Sequence, residues 1–411
     1  MGNDSFVIHV LQCILTMPPE LRTDVEPAVA ALNPSERIDA IDALRGLALF
    51  GVFAIHVTMQ FRVSIFEQFL PPAATTSALD RNVQALLSAA IELKAFALFS
   101  LLFGIGLAIQ FERLAPNPRR AILLLRRLAV LLMFGLIHLF LIWNGDILTE
   151  YSLAGFLVLP LLWGPRWLLA VTAAFFLGWY LVMPLLPPVI SWPTTAWLRD
   201  HVAEARQVYG HGGFFEILAF QIREVPAMLP LHVSIFPRTI ALFLFGMWLW
   251  RTDIVRRPAA HRSLLIAVAL TGVFVGGALT LAEPQMSWLG RGWFSVERLA
   301  GVLLAIGYTA AAFFALNTAT GSRLLGWAAP LGRMAFTNYL AQSVIFSWIF
   351  FGYGLGLFGR VDVVTALAIG IAVYVALALL SAWWLKHYRF GPFEWLWRTL
   401  MYGVPQRLRR G

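Results

Sequence analysis

Arg45 and His56 are separated by ten residues on the first long apolar stretch of the chain, and Arg127 and His138 repeat that spacing further on. Ionisable side chains inside a bilayer cost at least about 2.5 kcal/mol each, so they usually face a polar cavity and mark function. Histidine titrates near neutrality and can serve as a general base. Arginine carries a planar fork of donors that fits phosphate oxygens better than lysine does. Arg45, Arg126 and Arg127 are therefore candidate ligands for anionic cargo, with His56 and His138 as candidate bases. The plain alternative is a buried histidine bonded to a neighbouring helix, and arginines that merely flank a span on its cytoplasmic side.

Other polar residues sit close to these pairs in the pattern. Thr337, Asn338, Tyr339 and Gln342 form a patch at the start of a late apolar stretch, where amide and hydroxyl groups can orient a substrate or bond helix to helix. Asp146 follows His138 by eight positions, about 12 Å if the helix continues, so pairing within one helix fails and Asp146 is placed at the outer mouth. Lys94 and Glu92, two residues apart, cannot share a helical face. Gly104 and Gly106 are preceded by no strand, which excludes a dinucleotide loop and leaves close helix packing. The eight histidines are scattered, without metal-ligand spacing, so no metal is expected.

The elements that position these groups follow from composition. Hydrophobic residues make up 59% of the 411 positions and charged residues 13%, against roughly 25% charged in a soluble chain. The chain reads as all-α, a polytopic helical membrane protein. Windows of about 19 residues give roughly ten transmembrane helices: 44–61, 84–111, 128–143, 148–163, 167–186, 232–250, 264–281, 294–316, 335–358 and 363–385. Tryptophans including Trp143, Trp163, Trp167, Trp192 and Trp250 fall near the ends of these stretches, as an interfacial belt would. The net charge of +9 arises from short basic clusters between apolar runs, which is membrane topology rather than nucleic-acid binding.

Three regions result: an amino-terminal cytoplasmic segment, 1–36; a transmembrane domain, 37–388, with an extracytoplasmic segment at about 188–230; and a basic cytoplasmic tail, 389–411. The apolar run from Phe6 to Leu15 lacks a basic flank, so a cleaved signal peptide is not expected. The single cysteine, Cys13, excludes an intramolecular disulfide. Placing both termini in the cytoplasm puts most basic residues inside. Eleven helical steps then carry His56 about 16 Å below Arg45, near the middle of the hydrocarbon layer, with His138 at a similar depth.

Several ordered blocks carry a resemblance. Arg37-Ile-Asp-Ala-Ile-Asp42-Ala-Leu-Arg45-Gly46 resembles the opening motif of the YeiB-like family of bacterial membrane proteins. It is joined by Phe99-Ser-Leu-Leu-Phe-Gly104-Ile-Gly106, Gly135-Leu-Ile-His138, Gly145-Asp146-Ile-Leu, Gly332-Arg333-Met-Ala-Phe-Thr337-Asn338-Tyr339 and Phe390-Gly-Pro-Phe-Glu394-Trp-Leu-Trp-Arg398. That family is similar to a wider superfamily of transmembrane acyltransferases, which includes acyltransferase family three and the heparan glucosaminide acetyltransferase. The resemblance implies that Arg45 and His56, matching an arginine and a histidine ten residues on in acyltransferase family three, belong to an acyl-donor site and active centre. At His56 the chain departs from the usual YeiB-like pattern, where asparagine is expected.

The function expected is acyl transfer, with acetyl as the leading group, from cytoplasmic acetyl-CoA or another acyl-CoA to an envelope glycan, lipid or small molecule. Asp146, Asn338, Tyr339 and Gln342 are the candidate acceptor-binding residues. The alternative is a transporter or channel for a small anionic solute, with the same arginines and histidines lining its path. Membrane lipid, the acyl donor and an envelope acceptor are the partners implied, in the bacterial inner membrane, and a homo-oligomer is compatible with the sequence.

Overall fold

The computed structural model describes residues 39–71, 77–188, 190–282 and 289–410. The expectations for the segment before Asp39, including Cys13 and the Phe6–Leu15 run, lie outside the described residues. Within them the chain is helical, without a β-strand beyond one isolated bridge between Tyr388 and Arg409. Eight of the described helices are long and apolar enough to cross a membrane. The protein is a polytopic helical membrane protein. The other two expected spans are shorter helices, at Leu148–Trp163 and Ala335–Phe350.

Helix α1 (Asp39–Ile55) begins with Asp39 and Asp42 in its first turn, where carboxylates favour the helix dipole. It continues into one wide π-helical stretch, His56–Phe61. The second expected span is broken: α2 (Ala78–Ala90) is separated from α3 (Lys94–Arg113) at Leu93, which takes a left-handed conformation. Lys94 and Glu92 both fold onto that break. The Lys94 ammonium donates to the Ser88 carbonyl at 2.9 Å, and Glu92 accepts from the Ser88 hydroxyl at 2.5 Å.

Helix α4 (Arg120–Leu141) starts a full two turns before the expected boundary, so Arg126 and Arg127 lie within it rather than beside it. The chain then reverses through 142–147 into α5 (Leu148–Val158) and α6 (Arg166–Val182). The polar segment beyond holds α7 (Thr195–His211) and α8 (Phe214–Glu224), with a short turn at Pro226 leading into α9 (Leu229–Arg251). Buried Glu224 ties this segment to the α4–α5 reversal: it accepts from Asn144 at 2.8 Å, contacts His201 at 2.7 Å and accepts from the Tyr209 hydroxyl.

Helices α10 (Arg262–Leu281) and α11 (Gly292–Leu316) pack as a close pair through Gly272 and Gly307. Short α12 (Ala319–Leu325) and α13 (Ala329–Arg333) precede α14 (Ala335–Phe350), and α15 (Val363–His387) and α16 (Pro392–Tyr402) complete the fold. The expected ninth span stops at Phe350, eight residues early, because the chain folds back over 351–360. Gly356 and Gly359 adopt positive φ there, at 65° and 68°, a conformation that favours glycine.

Candidate functional site

Two of the sequence blocks meet through glycine. A Cβ on Gly46 would overlap the Ala328 carbonyl, and one on Gly332 would overlap the Asp42 carbonyl. Only backbone without side chain lets α1 and α13 approach this closely. That contact sets Arg45 and Arg333 into the wall of the same cavity, about 300 Å³ in volume. This is the lower end of the roughly 300 to 1,000 Å³ typical of ligand sites.

Six arginines line the cavity: Arg45, Arg113, Arg127, Arg333, Arg389 and Arg398. Between them stand aromatic rings, among them Phe96, Phe99, Phe103, Phe336, Tyr339 and Trp397. Arg45 pairs with Asp42 at 3.1 Å across one helical turn. Arg127 has its guanidinium carbon 4.0 Å from the Trp397 ring centre, and its Nε has no hydrogen-bond partner. The Trp397 indole donates to the Arg127 carbonyl at 2.9 Å, which locks α16 against α4. Charged forks over flat aromatic faces, with few carboxylates, form a receptor for an anion that also carries apolar or aromatic parts.

Glu394 is the acidic counterpart in this wall. Helix α14 begins without a side-chain cap of its own, and its free amides need acceptors. The Glu394 carboxylate, arriving from α16, accepts from the Phe336 amide at 2.8 Å, the Thr337 amide at 3.0 Å and the Thr337 hydroxyl at 2.5 Å. Burial pushes its pKa above the ordinary glutamate range, while these three hydrogen bonds oppose that shift.

The histidines stand behind the cavity. His56 and His138 are fully buried, and neither is among its lining residues. Tyr339 is the shared boundary: it lines the cavity, with its ring centre 6.0 Å from His56 and 5.1 Å from His138. Trp143 closes the far side, 4.8 Å from His56 and 6.2 Å from His138. Trp143 and Trp250 are thus buried, unlike exposed Trp163, Trp167 and Trp192, which fit a belt at the membrane surface. The two Arg–His pairs converge: both arginines line one cavity, and both histidines share two aromatic neighbours.

Each histidine has a polar side chain at its Nδ1. The Gln342 side-chain amide lies 2.9 Å from His56 Nδ1. Asp146 Oδ1 lies 2.9 Å from His138 Nδ1, although the ring N–H is not aimed well enough to complete a hydrogen bond. The expectation that Asp146 lies apart at an outer mouth is corrected by the backbone. Helix α4 ends at Leu141, and the reversal returns Asp146 alongside His138. The other Asp146 oxygen accepts from the Thr149 amide at 2.6 Å and caps the start of α5.

The remaining expected site residues divide. Arg126 points away from the cavity and donates to the Leu400 carbonyl at 2.9 Å. Asn338 bridges α14 to α15 through Ser381 at 3.0 Å and also donates to the Leu331 carbonyl. Gln342 reaches His56 rather than the cavity. Sequence reading missed Arg113, Arg389 and Tyr151, all in the wall, and gave no role to Arg333, Glu394 and Arg398, although these three sit inside the quoted blocks. Among the described residues, no group of three His, Cys, Asp or Glu side chains is arranged to hold a metal.

Comparison with known proteins supplies the family. The chain is 31% identical over 404 residues to the uncharacterized protein YxaH of Bacillus subtilis, covering 91% of this chain and 97% of that one. It is 32% identical over 385 residues to the uncharacterized protein YeiB of Escherichia coli, covering 89% and 96%. The chain belongs to the YeiB-like family. Residues 249–404 also match a family described as a protein of unknown function, DUF418. A third relative is an uncharacterized 39.9 kDa protein in the amylase 3' region of Bacillus acidopullulyticus, 28% identical over 379 residues, covering 89% and 94%. No solved structure matches the chain.

Proposed function

We propose that this YeiB-like protein is a transmembrane acyltransferase of the bacterial inner membrane that takes its acyl group from cytoplasmic acyl-CoA. The observation that carries the proposal is a single cavity with six arginines around aromatic walls, whose inner boundary, Tyr339, touches both His56 and His138. The positive-inside rule turns the arginine-rich end to the cytoplasm, where a CoA thioester would enter. Its phosphates would meet Arg45, Arg127 and their neighbours, and its thioester arm would run inward between the rings toward Tyr339.

In the reaction, an acceptor hydroxyl or amine gives its proton to an imidazole as its oxygen or nitrogen bonds to the thioester carbonyl carbon. The carbon–sulfur bond then breaks, and the CoA thiolate recovers a proton. His56 is the preferred base and Gln342 its positioning residue. As placed, the Gln342 amide nitrogen donates to His56 Nδ1, which leaves the ring proton on Nε2. The basic Nε2 that the reaction needs requires the amide to turn over, so that Oε1, a buried acceptor without a partner, accepts from Nδ1–H. The Tyr339 ring must swing aside for a thioester to reach His56, so the proposal requires motion at that residue.

Transport of a small anionic solute draws on the same wall in another way: a basic cavity that ends against a sealed polar core also describes one state of an alternating-access carrier. Titration of the purified chain with acetyl-CoA separates the readings. Saturable binding that Arg45→Ala weakens, with release of free CoA when acceptor is present, is expected for the enzyme. Absence of any acyl-CoA binding in the wild type, together with solute uptake in proteoliposomes, overturns it.

A further inference from the structure

A second, smaller cavity of about 120 Å³ lies at the other end of α9. Ser234 near the start of α9 lines it, whereas Trp250 at the end of the same helix lines the large cavity. Sixteen helical steps place these residues about 24 Å apart along the axis. The small cavity is a separate place on the opposite side of the bundle.

Its walls join two cations to mostly apolar residues. Arg291 stands exposed at the rim and Arg298 is half-buried two turns along α11. Pro184, Pro188 and Trp192 come from the end of α6 and the segment after it. Arg298 is held in place rather than left to wander: it donates to the Tyr180 carbonyl at 2.7 Å, with its guanidinium carbon 4.6 Å from the Tyr180 ring centre. One turn beyond Ser234, Arg238 places its guanidinium carbon 5.9 Å from the same centre. Arg238 is only 3% exposed and its Nε has no hydrogen-bond partner.

Against these three arginines stand few acids. Glu297, exposed beside Arg298 in sequence, attracts its guanidinium, and Glu150 is bonded to the Thr239 hydroxyl at 2.5 Å and to His232 at 3.2 Å. A buried guanidinium is costly unless an anion compensates it. Near the lining residues in sequence, Leu185, Leu229 and Phe294 are exposed apolar side chains, the surface that faces lipid tails in a membrane protein.

We infer that this second cavity binds a phosphate-bearing group through Arg291 and Arg298, with buried Arg238 holding positive potential behind them. The phosphate belongs to a lipid headgroup or to a soluble phosphate ester, and the site is independent of the acyl-transfer reading. Arginine forks supply the paired donors that a phosphate needs, and the apolar rim suits a headgroup that carries acyl chains.

The test uses the full chain in non-ionic detergent, loaded with dioleoyl phosphatidylglycerol or with dioleoylglycerol, which lacks the phosphate, and counts retained lipid by native mass spectrometry. Phosphatidylglycerol is expected to be retained over dioleoylglycerol, with retention falling about tenfold in Arg291→Gln and Arg298→Gln and unchanged in Arg223→Gln, an exposed arginine of α8 outside both cavities. Competition by millimolar glycerol phosphate shows that a soluble ester suffices; its failure to compete with the retained lipid assigns the site to a headgroup. Should Arg298→Gln lose its fold along with the Tyr180 contact, the rim variants Arg291→Gln and Arg291→Glu decide alone. Equal retention of both lipids by the wild type, or wild-type retention in folded Arg291→Glu, overturns the inference.

Discussion

His138 Nδ1 and Asp146 Oδ1 meet at 2.9 Å inside the protein, with both side chains closed to solvent. They come from opposite sides of a chain reversal, and the same carboxylate caps the first turn of α5. Asp146 therefore ties the end of α4, the start of α5 and a candidate catalytic ring into one unit. Asp146→Ala removes a cap worth about 1 kcal/mol and takes away the carboxylate that stands beside buried His138. Asp146→Asn keeps an oxygen for the Thr149 amide. Thermal unfolding in detergent is expected to rank wild type above Asn and Asn above Ala; Ala melting with the wild type would refute the coupling.

Tyr339 separates the cavity from both histidines, and a chemical probe can read that barrier without reference to turnover. Diethyl pyrocarbonate modifies accessible imidazoles. His56 and His138 are expected to resist it in the wild type and in Tyr339→Phe, which retains the ring. In Tyr339→Ala both should become reactive, as detected by peptide mass spectrometry. Modification of His56 in the unaltered protein would show that another route reaches it.

The helices were largely legible in the sequence because each needs only a local apolar run, and Arg45 with His56 was legible because both lie on one such run. The histidine pocket was not, because it depends on contacts between distant segments. The turn after Trp143 is announced by Asn144-Gly145 and by the end of the apolar run, but nothing in the sequence says that it delivers Asp146 to His138. Likewise the hydropathy of 389–411 describes a basic tail, whereas α16 brings Glu394 to the start of α14 and Arg398 into the cavity wall. Arg126 and Arg127 are adjacent and chemically identical. Only the direction each takes from α4 separates a tail anchor from a cavity residue.

The glycines of the Phe99–Gly106 block are expected to fail in different ways. A Cβ on Gly104 would run into the backbone of Phe243 on α9, which cannot yield without separating two helices; on Gly106 it would meet the Arg45 guanidinium at 3.1 Å, the far end of a flexible side chain. Gly104→Ala should lose about 1–3 kcal/mol of stability. Gly106→Ala should melt near the wild type yet weaken acyl-CoA binding by displacing Arg45. Equal melting temperatures for the two variants would contradict this division.

Glu394 makes a pH-dependent contribution whose sign follows from its environment. Burial raises its pKa in the folded protein, so between the ordinary glutamate value, about 4.3, and the raised value the folded state holds more protons than the unfolded state. Stability from this group is therefore greatest below that window and declines as pH rises through it. Its half-exposed position at the cavity wall moderates the effect. Glu394→Gln should flatten that part of the stability profile while keeping an acceptor for α14, and Glu394→Ala should lose the cap as well, about 1 kcal/mol. Urea unfolding monitored from pH 4 to pH 7 checks both; a wild-type stability that rises through this range relative to Glu394→Gln would reverse the assignment.

His56→Asn is the substitution most informative about chemistry, because asparagine still offers a polar group toward Gln342 but cannot serve as a base near neutral pH. If His56 takes the acceptor proton, the variant should fold, bind acetyl-CoA with near wild-type affinity and lose turnover by roughly 10²- to 10⁴-fold, the usual contribution of a general base. Gln342→Ala tests the positioning role separately. It leaves the imidazole in place but free to change tautomer and orientation, so turnover should fall less and its pH profile should shift. Full turnover in His56→Asn, measured as free CoA released per acceptor modified, would move the base to His138, where Asp146→Asn would then be expected to alter the pH profile instead.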